Sequence, residues 1–193
     1  MTTKKTNVNS QLLKKIGVNM NKVKYSQRDC KDQEKIEKFL KESRTGVIAM
    51  NGDDYPYAVP VNFVWYEGYI FFHGMGSGKK VDILCEEPPV SFTVYEEIGT
   101  VTDPMPCHAD TSYMSVMLFG KIEKVVDFDI AATALWKLVE KYLPNYYKKP
   151  LTASFIENYK SSMDNNTTSV FKLTPEDITA KENQAEESEL FKN

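Results

Sequence analysis

From Thr45 to Val126 the chain offers one short β-prone run after another, separated by turn signals and with no long helical period between them. Thr45–Met50 is followed by Asn51-Gly52-Asp53-Asp54, a turn of the kind that closes a hairpin. Tyr57–Tyr66 forms the second strand, and Glu67-Gly68 turns it into a third, Tyr69–His73. Val90–Tyr95 and Tyr113–Val126 read as the fourth and fifth, the latter bent at Gly120, and Ser169–Leu173 as a short sixth. Consecutive hairpins imply antiparallel pairing, and a small antiparallel sheet hides its edges best by closing into a barrel. The expectation is a mainly β fold, a barrel with peripheral helices. The βαβ rhythm of a Rossmann fold is missing. Pro60 removes a ladder donor, so its part of the second strand belongs at an edge or a bulge.

Helical signals lie around this core. Asp32 caps a helix whose apolar stripe is Ile36, Phe39 and Leu40. A short helix runs from Lys79 to Glu86 and ends before Pro88-Pro89. The helix beginning at Asp129 carries Ile130, Ala134, Leu135, Leu138 and Val139 on one face and stops before Pro144. Its Trp136 reads as a core or interface anchor. The stretch from Glu96 to Asp110 has two prolines and no period, which reads as a long loop. Residues 1–28 are a polar, lysine-rich arm, 29–181 the folded domain, and 182–193 a charged tail, frayed at its end.

Arginine is scarce: 22 lysines stand beside only Arg28 and Arg44. Arginine is the usual bidentate clamp for phosphate and carboxylate, and neither arginine lies near the motifs below in sequence. Any phosphate bound there is left to lysine, hydroxyls and backbone N–H groups. The net charge of −3 argues against a nucleic-acid surface. The aromatic run Tyr55 to Tyr66 contains no lysine or arginine, so it lacks the basic partners of a single-strand binder. No apolar run approaches the ~20 residues of a membrane span. The opening residues show no apolar signal-peptide core, and three cysteines (Cys30, Cys85, Cys107) suit a reducing compartment, so the expectation is a cytoplasmic protein.

The strongest chemical signal is a strand ending in His73, then Gly74-Met75-Gly76-Ser77-Gly78, then Lys79-Lys80 opening a helix. Glycines allow close backbone approach, and a helix start presents free N–H groups and partial positive charge to an anion. The spacing is neither GxxxxGK[ST] nor GxGxxG. From the residues alone, a phosphate cradle and a plain loop with solvated lysines both remain open. His73 reads either as a structural histidine or as a hydrogen-bond donor and acid/base group. The lysines beside it disfavour its protonation. Cys107, His108 and Asp110 fall short of a four-ligand metal set, so no metal is expected.

The run TGVIAMNGDDYPYAVPVNFVWYEGYIFFHGMGSGKKVDILCEEPPVSFTV, followed by TSYMSVMLFGKIEKVVD, resembles the FMN-binding split-barrel proteins related to pyridoxamine 5′-phosphate oxidase. Within them it is most similar to the nitroimidazole-resistance-like flavoproteins. The resemblance covers roughly Arg28 to Lys181. It implies a six-stranded antiparallel Greek-key split barrel and a homodimer holding FMN in two clefts between subunits. It places the backbone of Val59, Pro60, Val61 and Asn62 along the flavin ring, and His73 near the ring or ribityl chain, as the tentative catalytic residue. Ser77, Lys79 and Lys80 would hold the phosphate, and Tyr113 and Ser115 would reach FMN from the partner subunit.

The departures are informative. True pyridoxamine-phosphate oxidases carry arginine and lysine where this chain has Val59 and Val64, and arginine where it has Gly78. Their C-terminal Trp and Arg are missing from EESELFKN. The implied reaction is therefore electron transfer from a small donor, such as a nicotinamide nucleotide, to a small acceptor, such as a nitroaromatic or quinone. Alternatives are a non-catalytic flavin or haem carrier, with His73 or His108 on the iron, and a cofactor-free dimeric module.

Overall fold

The computed structural model describes residues 19–20, 23–162 and 165–192. Most of the N-terminal arm, including its weak stripe Leu12, Leu13 and Ile16, lies outside them. The strands are β1 (Asn19–Met20), β2 (Thr45–Met50), β3 (Tyr57–Tyr66), β4 (Tyr69–Gly74), β5 (Pro89–Val101), β6 (Asp110–Lys124) and β7 (Ser169–Asn183). The helices are α1 (Gln33–Glu42), α2 (Lys79–Leu84), α3 (Phe128–Tyr142) and α4 (Ala153–Asn158). Six strands close an antiparallel barrel in the order β7-β4-β3-β2-β5-β6, with β6 returning to β7. β1 adds in parallel to the far half of β7, pairing Asn19 with Asp177.

Local chemistry sets these elements. Asp32 accepts the Glu34 and Lys35 N–H groups at the head of α1, and Asp127 does the same for Asp129 and Ile130 at the head of α3. Each such cap stabilises its helix by about 1 kcal/mol. The β3–β4 hairpin closes through Glu67 and Gly68, both at positive φ (51° and 84°), which matches the right-handed twist of its strands. Inside the barrel, Phe63, Phe72, Phe92, Phe171, Ile48 and Leu118 are fully buried. Phe63 meets Phe92 edge-on at 5.1 Å, and Phe72 stacks on Phe171 at 5.4 Å. A second cluster lies outside the wall, where Ala131, Ala134 and Leu138 of α3 cover Val64, Phe71 and Val170.

Several boundaries differ from the sequence reading. The loop expected from Glu96 to Asp110 is mostly hairpin: β5 runs to Val101 and β6 starts at Asp110. Residues Tyr95 to Ile98 are all exposed, so the alternation that marks a half-buried strand is missing, and a register shift between Glu97 and Gly99 keeps the ladder going. β7 continues ten residues past Leu173 to Asn183. Pro175 disguises that continuation, but it sits opposite Gly120, where the β6–β7 register shifts. The expected bend at Gly120 is this irregularity. The C-terminal residues are pinned rather than frayed: Phe191 N–H donates to the Thr100 carbonyl at 2.8 Å, and Thr102 N–H to Glu189 at 3.0 Å. Ile130, expected on the buried face of α3, is 48% exposed, because the helix begins at Phe128 and turns Ala131 inward instead.

A Cβ at Gly120 would lie 2.0 Å from the Thr174 carbonyl oxygen and 3.0 Å from Pro175 Cα. Backbone on a neighbouring strand cannot step aside as a side chain does. Gly120→Ala is expected to cost about 1–3 kcal/mol or more, read as a lower midpoint in urea unfolding; an unchanged midpoint would contradict this packing.

Candidate functional site

β3 changes partners part-way along its length. Its second half pairs with β4, from Tyr66 opposite Tyr69 to Phe63 opposite Phe72. Its first half, Tyr57 to Asn62, pairs with β2 alone. Continuing the β3–β4 ladder would put Asn62 opposite His73, but that ladder ends at Phe63 and Phe72, and His73 and Gly74 keep only their β7 partners, Val170 and Ser169. The wall therefore splits, with Val59, Pro60 and Asn62 on one lip and His73 on the other. Pro60 sits where its strand has a neighbour on one side only, which resolves its missing donor.

α2 lies at the end of this split. Val81 and Leu84 are buried and anchor it in the barrel core. Its N-terminus faces outward. Gly78 takes φ +109°, and a Cβ there would meet nothing within 4 Å. α1, α3 and α4 are each capped by a side chain, but α2 has none. Asp82 makes the first helical bond back to Gly78 at 3.0 Å, so the N–H groups of Lys79, Lys80 and Val81 precede the ladder. Lys79 Nζ stands 5.2 Å from the centre of the Tyr57 ring at the head of β3. Lys80 folds back over the other lip: its Nζ would lie 3.1 Å from a Cβ on Gly74 and is 5.9 Å from the Phe72 ring centre. The split thus has Lys80 beside His73 on one lip and Lys79 beside Tyr57 at the head of the other, with Ser77 two residues before Lys79 in the loop between.

Electrostatics follow from this packing. The His73 ring reaches solvent, but enough protein surrounds it that desolvation pushes its pKa below the ordinary 6.5, and Lys80 pushes the same way. The like-charge effect read from the sequence is present, but burial outweighs it. Burial also lowers the Lys80 ammonium below its usual value. A neutral imidazole beside the partly desolvated Lys80 can donate or accept one hydrogen bond without competing for an anion.

Other expected residues fall elsewhere. Val61 is buried, so only its backbone faces the split. Tyr113 and Ser115 are on β6 and touch neither lip within one chain. Tyr113 stacks loosely on Tyr95 at 5.9 Å. Both lie on the outer face of the β2–β5–β6 wall, the face that also carries Pro60 through the pairings Pro60–Val47–Thr93–Met117. Cys107, His108 and Asp110 are drawn to separate partners: Asp110 to Arg28 and His108 toward Asp103 at 3.5 Å. Among the described residues no three His, Cys, Asp or Glu side chains gather as a metal set.

Sequence reading missed Arg44. It looks remote in the chain, but Thr45 pairs with Asn62, so Arg44 falls beside Phe63, one residue past the split. Lys141 and Tyr142 of α3 join it there, hydrogen-bonded to Phe63.

With its folded pKa depressed, His73 takes up protons on unfolding as the pH falls. Its contribution to stability is intact above about pH 6.5 and is lost on acidification toward the native pKa. A proton NMR titration is expected to place His73 below 6.5, and Lys80→Ala to raise it part of the way back. A midpoint at or above 6.5 in the parent protein would contradict the site geometry.

The model of the family described as pyridoxamine 5′-phosphate oxidase matches residues 32–182. Among curated proteins none matches the chain. Among solved structures, the flavocytochrome Anf3 from Azotobacter vinelandii superposes with a TM-score of 0.72 at 20% identity, over 88% of this chain and 78% of that one. The FAD and heme binding protein from Mycobacterium smegmatis gives 0.68 at 19% identity, over 82% and 74%. A candidate 5-nitroimidazole antibiotic resistance protein from Bacteroides thetaiotaomicron gives 0.61 at 20% identity, over 79% and 85%. At these identities the structures establish a shared fold. With the family match running from the cap of α1 almost to the end of β7, the chain belongs to the pyridoxamine 5′-phosphate oxidase family, as a six-stranded split barrel.

Proposed function

We propose that this chain is an FMN-dependent oxidoreductase that reduces a small acceptor, such as a nitroaromatic or quinone, and that it is not a pyridoxamine-phosphate oxidase. The observation that carries this reading is the uncapped start of α2 at the end of the split, with Gly78 open and Lys79 and Lys80 beside it. That donor set fits a terminal phosphate: N–H groups without partners, a hydroxyl from Ser77 and two amines, one of them partly desolvated. The lip from Val59 to Asn62 offers backbone groups along the edge of a planar ring, and His73 faces it with a neutral imidazole. Bound flavin supplies two-electron redox chemistry; the chain supplies position and charge.

The case against the oxidase activity is local. Val64 is buried beneath α3 and Val59 packs on the core, so neither clamps a substrate phosphate. The three relatives described above carry flavin, haem or nitroimidazole in their descriptions, which agrees with redox chemistry on this fold. A haem carrier is the second reading. The neutral, solvent-reaching His73 supports it, and a Soret band in place of flavin absorption would favour it.

We also infer a homodimer. α3 covers the outer side of β3, β4 and β7, but the outer side of β2, β5 and β6 leaves Val47 38%, Tyr95 51% and Phe119 36% exposed. A second copy packed there would cover this apolar face and carry its own Tyr113 and Ser115 toward the split. No helix among the described residues is long and apolar enough to cross a membrane.

Lys79→Ala with Lys80→Ala is expected to weaken FMN binding by about 10²–10⁴, from roughly 1.5–3 kcal/mol per charge-assisted bond. Fluorescence titration reads this directly, and an unchanged affinity would refute the phosphate assignment. Light scattering of the FMN-loaded protein should give twice the chain mass; a monomer that retains FMN would overturn the dimer.

A further inference from the structure

The end of the β2–β3 ladder, on the edge of β3 that faces away from β4, holds two cations that the flavin reading does not use. The ladder stops at Thr45 opposite Asn62, so Phe63 has no β2 partner. Tyr142 takes that place. Its hydroxyl accepts the Phe63 N–H at 2.9 Å and hydrogen-bonds the Arg44 carbonyl. Lys141 Nζ donates to the Phe63 carbonyl at 3.0 Å and stands 4.1 Å from the Phe63 ring centre. The Arg44 guanidinium lies over the Tyr142 ring at 4.6 Å, and Lys141 Nζ is 5.8 Å from the same centre. One aromatic ring thus holds two positive groups together.

Neither cation has a counter-ion in contact. Among the described residues, ion pairs join other lysines and Arg28 to carboxylates, but none includes Arg44 or Lys141. Lys141 spends one of its three N–H groups on Phe63. Arg44 is exposed and presents its donors to solvent. The one carboxylate whose field reaches Lys141 is Glu96. Neither Arg44 nor Lys141 is neutralised by a carboxylate in contact.

We propose that Arg44 and Lys141 form a recognition site for the carboxylate of a small organic monoanion, where the β2–β3 ladder ends. The fork of a guanidinium fits the two oxygens of a carboxylate, and the lysine adds a point charge from below. Burial, with Arg44 as the second cause, drives the Lys141 ammonium down to about 8, the mark of a cation held without compensation; a bound anion reverses that. The site lies on the β2-facing edge of β3, across the strand from the edge that parts from β4. It does not rest on the flavin reading.

The test is a titration of the full chain with sodium benzoate, followed by calorimetry and by NMR of the Lys141 amine. Saturable binding is expected, with the Lys141 pKa rising from about 8 as benzoate binds. Arg44→Gln removes an exposed side chain and leaves the core intact. It should weaken benzoate by about tenfold or more, and in the benzoate-free protein it should raise the Lys141 pKa. Lys141→Arg should retain binding, and Lys141→Met should lose it. Equal benzoate affinity in Arg44→Gln and the parent, or a Lys141 pKa indifferent to benzoate, would overturn the proposal. Inorganic phosphate binding tenfold tighter than benzoate would overturn the monoanion assignment. Benzoate bound at Lys141 in a protein that refuses FMN would support the anion site and sink the flavin reading, so the two fail separately.

Discussion

A backbone N–H or carbonyl taken out of water must find a partner, and a barrel wall meets that demand strand by strand. β3 cannot keep β4 as its partner along its whole length, because β4 turns at Gly74 into the glycine loop and α2. The two strands part at Asn62 and His73, and past that point each keeps only the neighbour on its far edge, β2 for β3 and β7 for β4. The candidate site follows from that parting. The opening is lined by main chain on one lip and His73 on the other, and α2 fills its floor with Val81 and Leu84 while leaving its own N–H groups outward. On the opposite edge of β3, Phe63 has β4 on one side but no β2 partner on the other, and Tyr142 and Lys141 from α3 take that place.

Much of this was legible in the sequence because it rests on short-range chemistry. The caps Asp32 and Asp127, the Glu67-Gly68 turn and the limits of β2 and β3 need only neighbouring residues to specify them. The glycine loop with Lys79 and Lys80 stood out for the same reason, open to reading as a phosphate cradle or as a plain loop. What was hidden depends on partners distant in sequence. The outer half of β5 shows no apolar alternation, and only β6 makes it a strand. β7 carries Pro175 in mid-course and survives because Gly120 leaves room opposite. Residues 187–191 look like a frayed tail until Thr100 and Thr102 claim them.

Arg44 is the clearest case. Its scarcity value was apparent, since the chain has only one other arginine, but its sequence position gave no reason to connect it with the cofactor motifs. Register made the connection, by setting Thr45 opposite Asn62. The scarcity argument then changes form. Lysines and backbone groups would handle the proposed cofactor phosphate, and the arginine stands across β3 from the split with Lys141.

The central claim is that the split holds a flavin, and the visible absorption spectrum of the full-length protein, as purified and after addition of FMN and removal of the excess, tests it most directly. The account predicts the two-banded spectrum of oxidised flavin, retained through gel filtration and bleached by a two-electron reductant. A colourless protein that emerges from the column without FMN would contradict it.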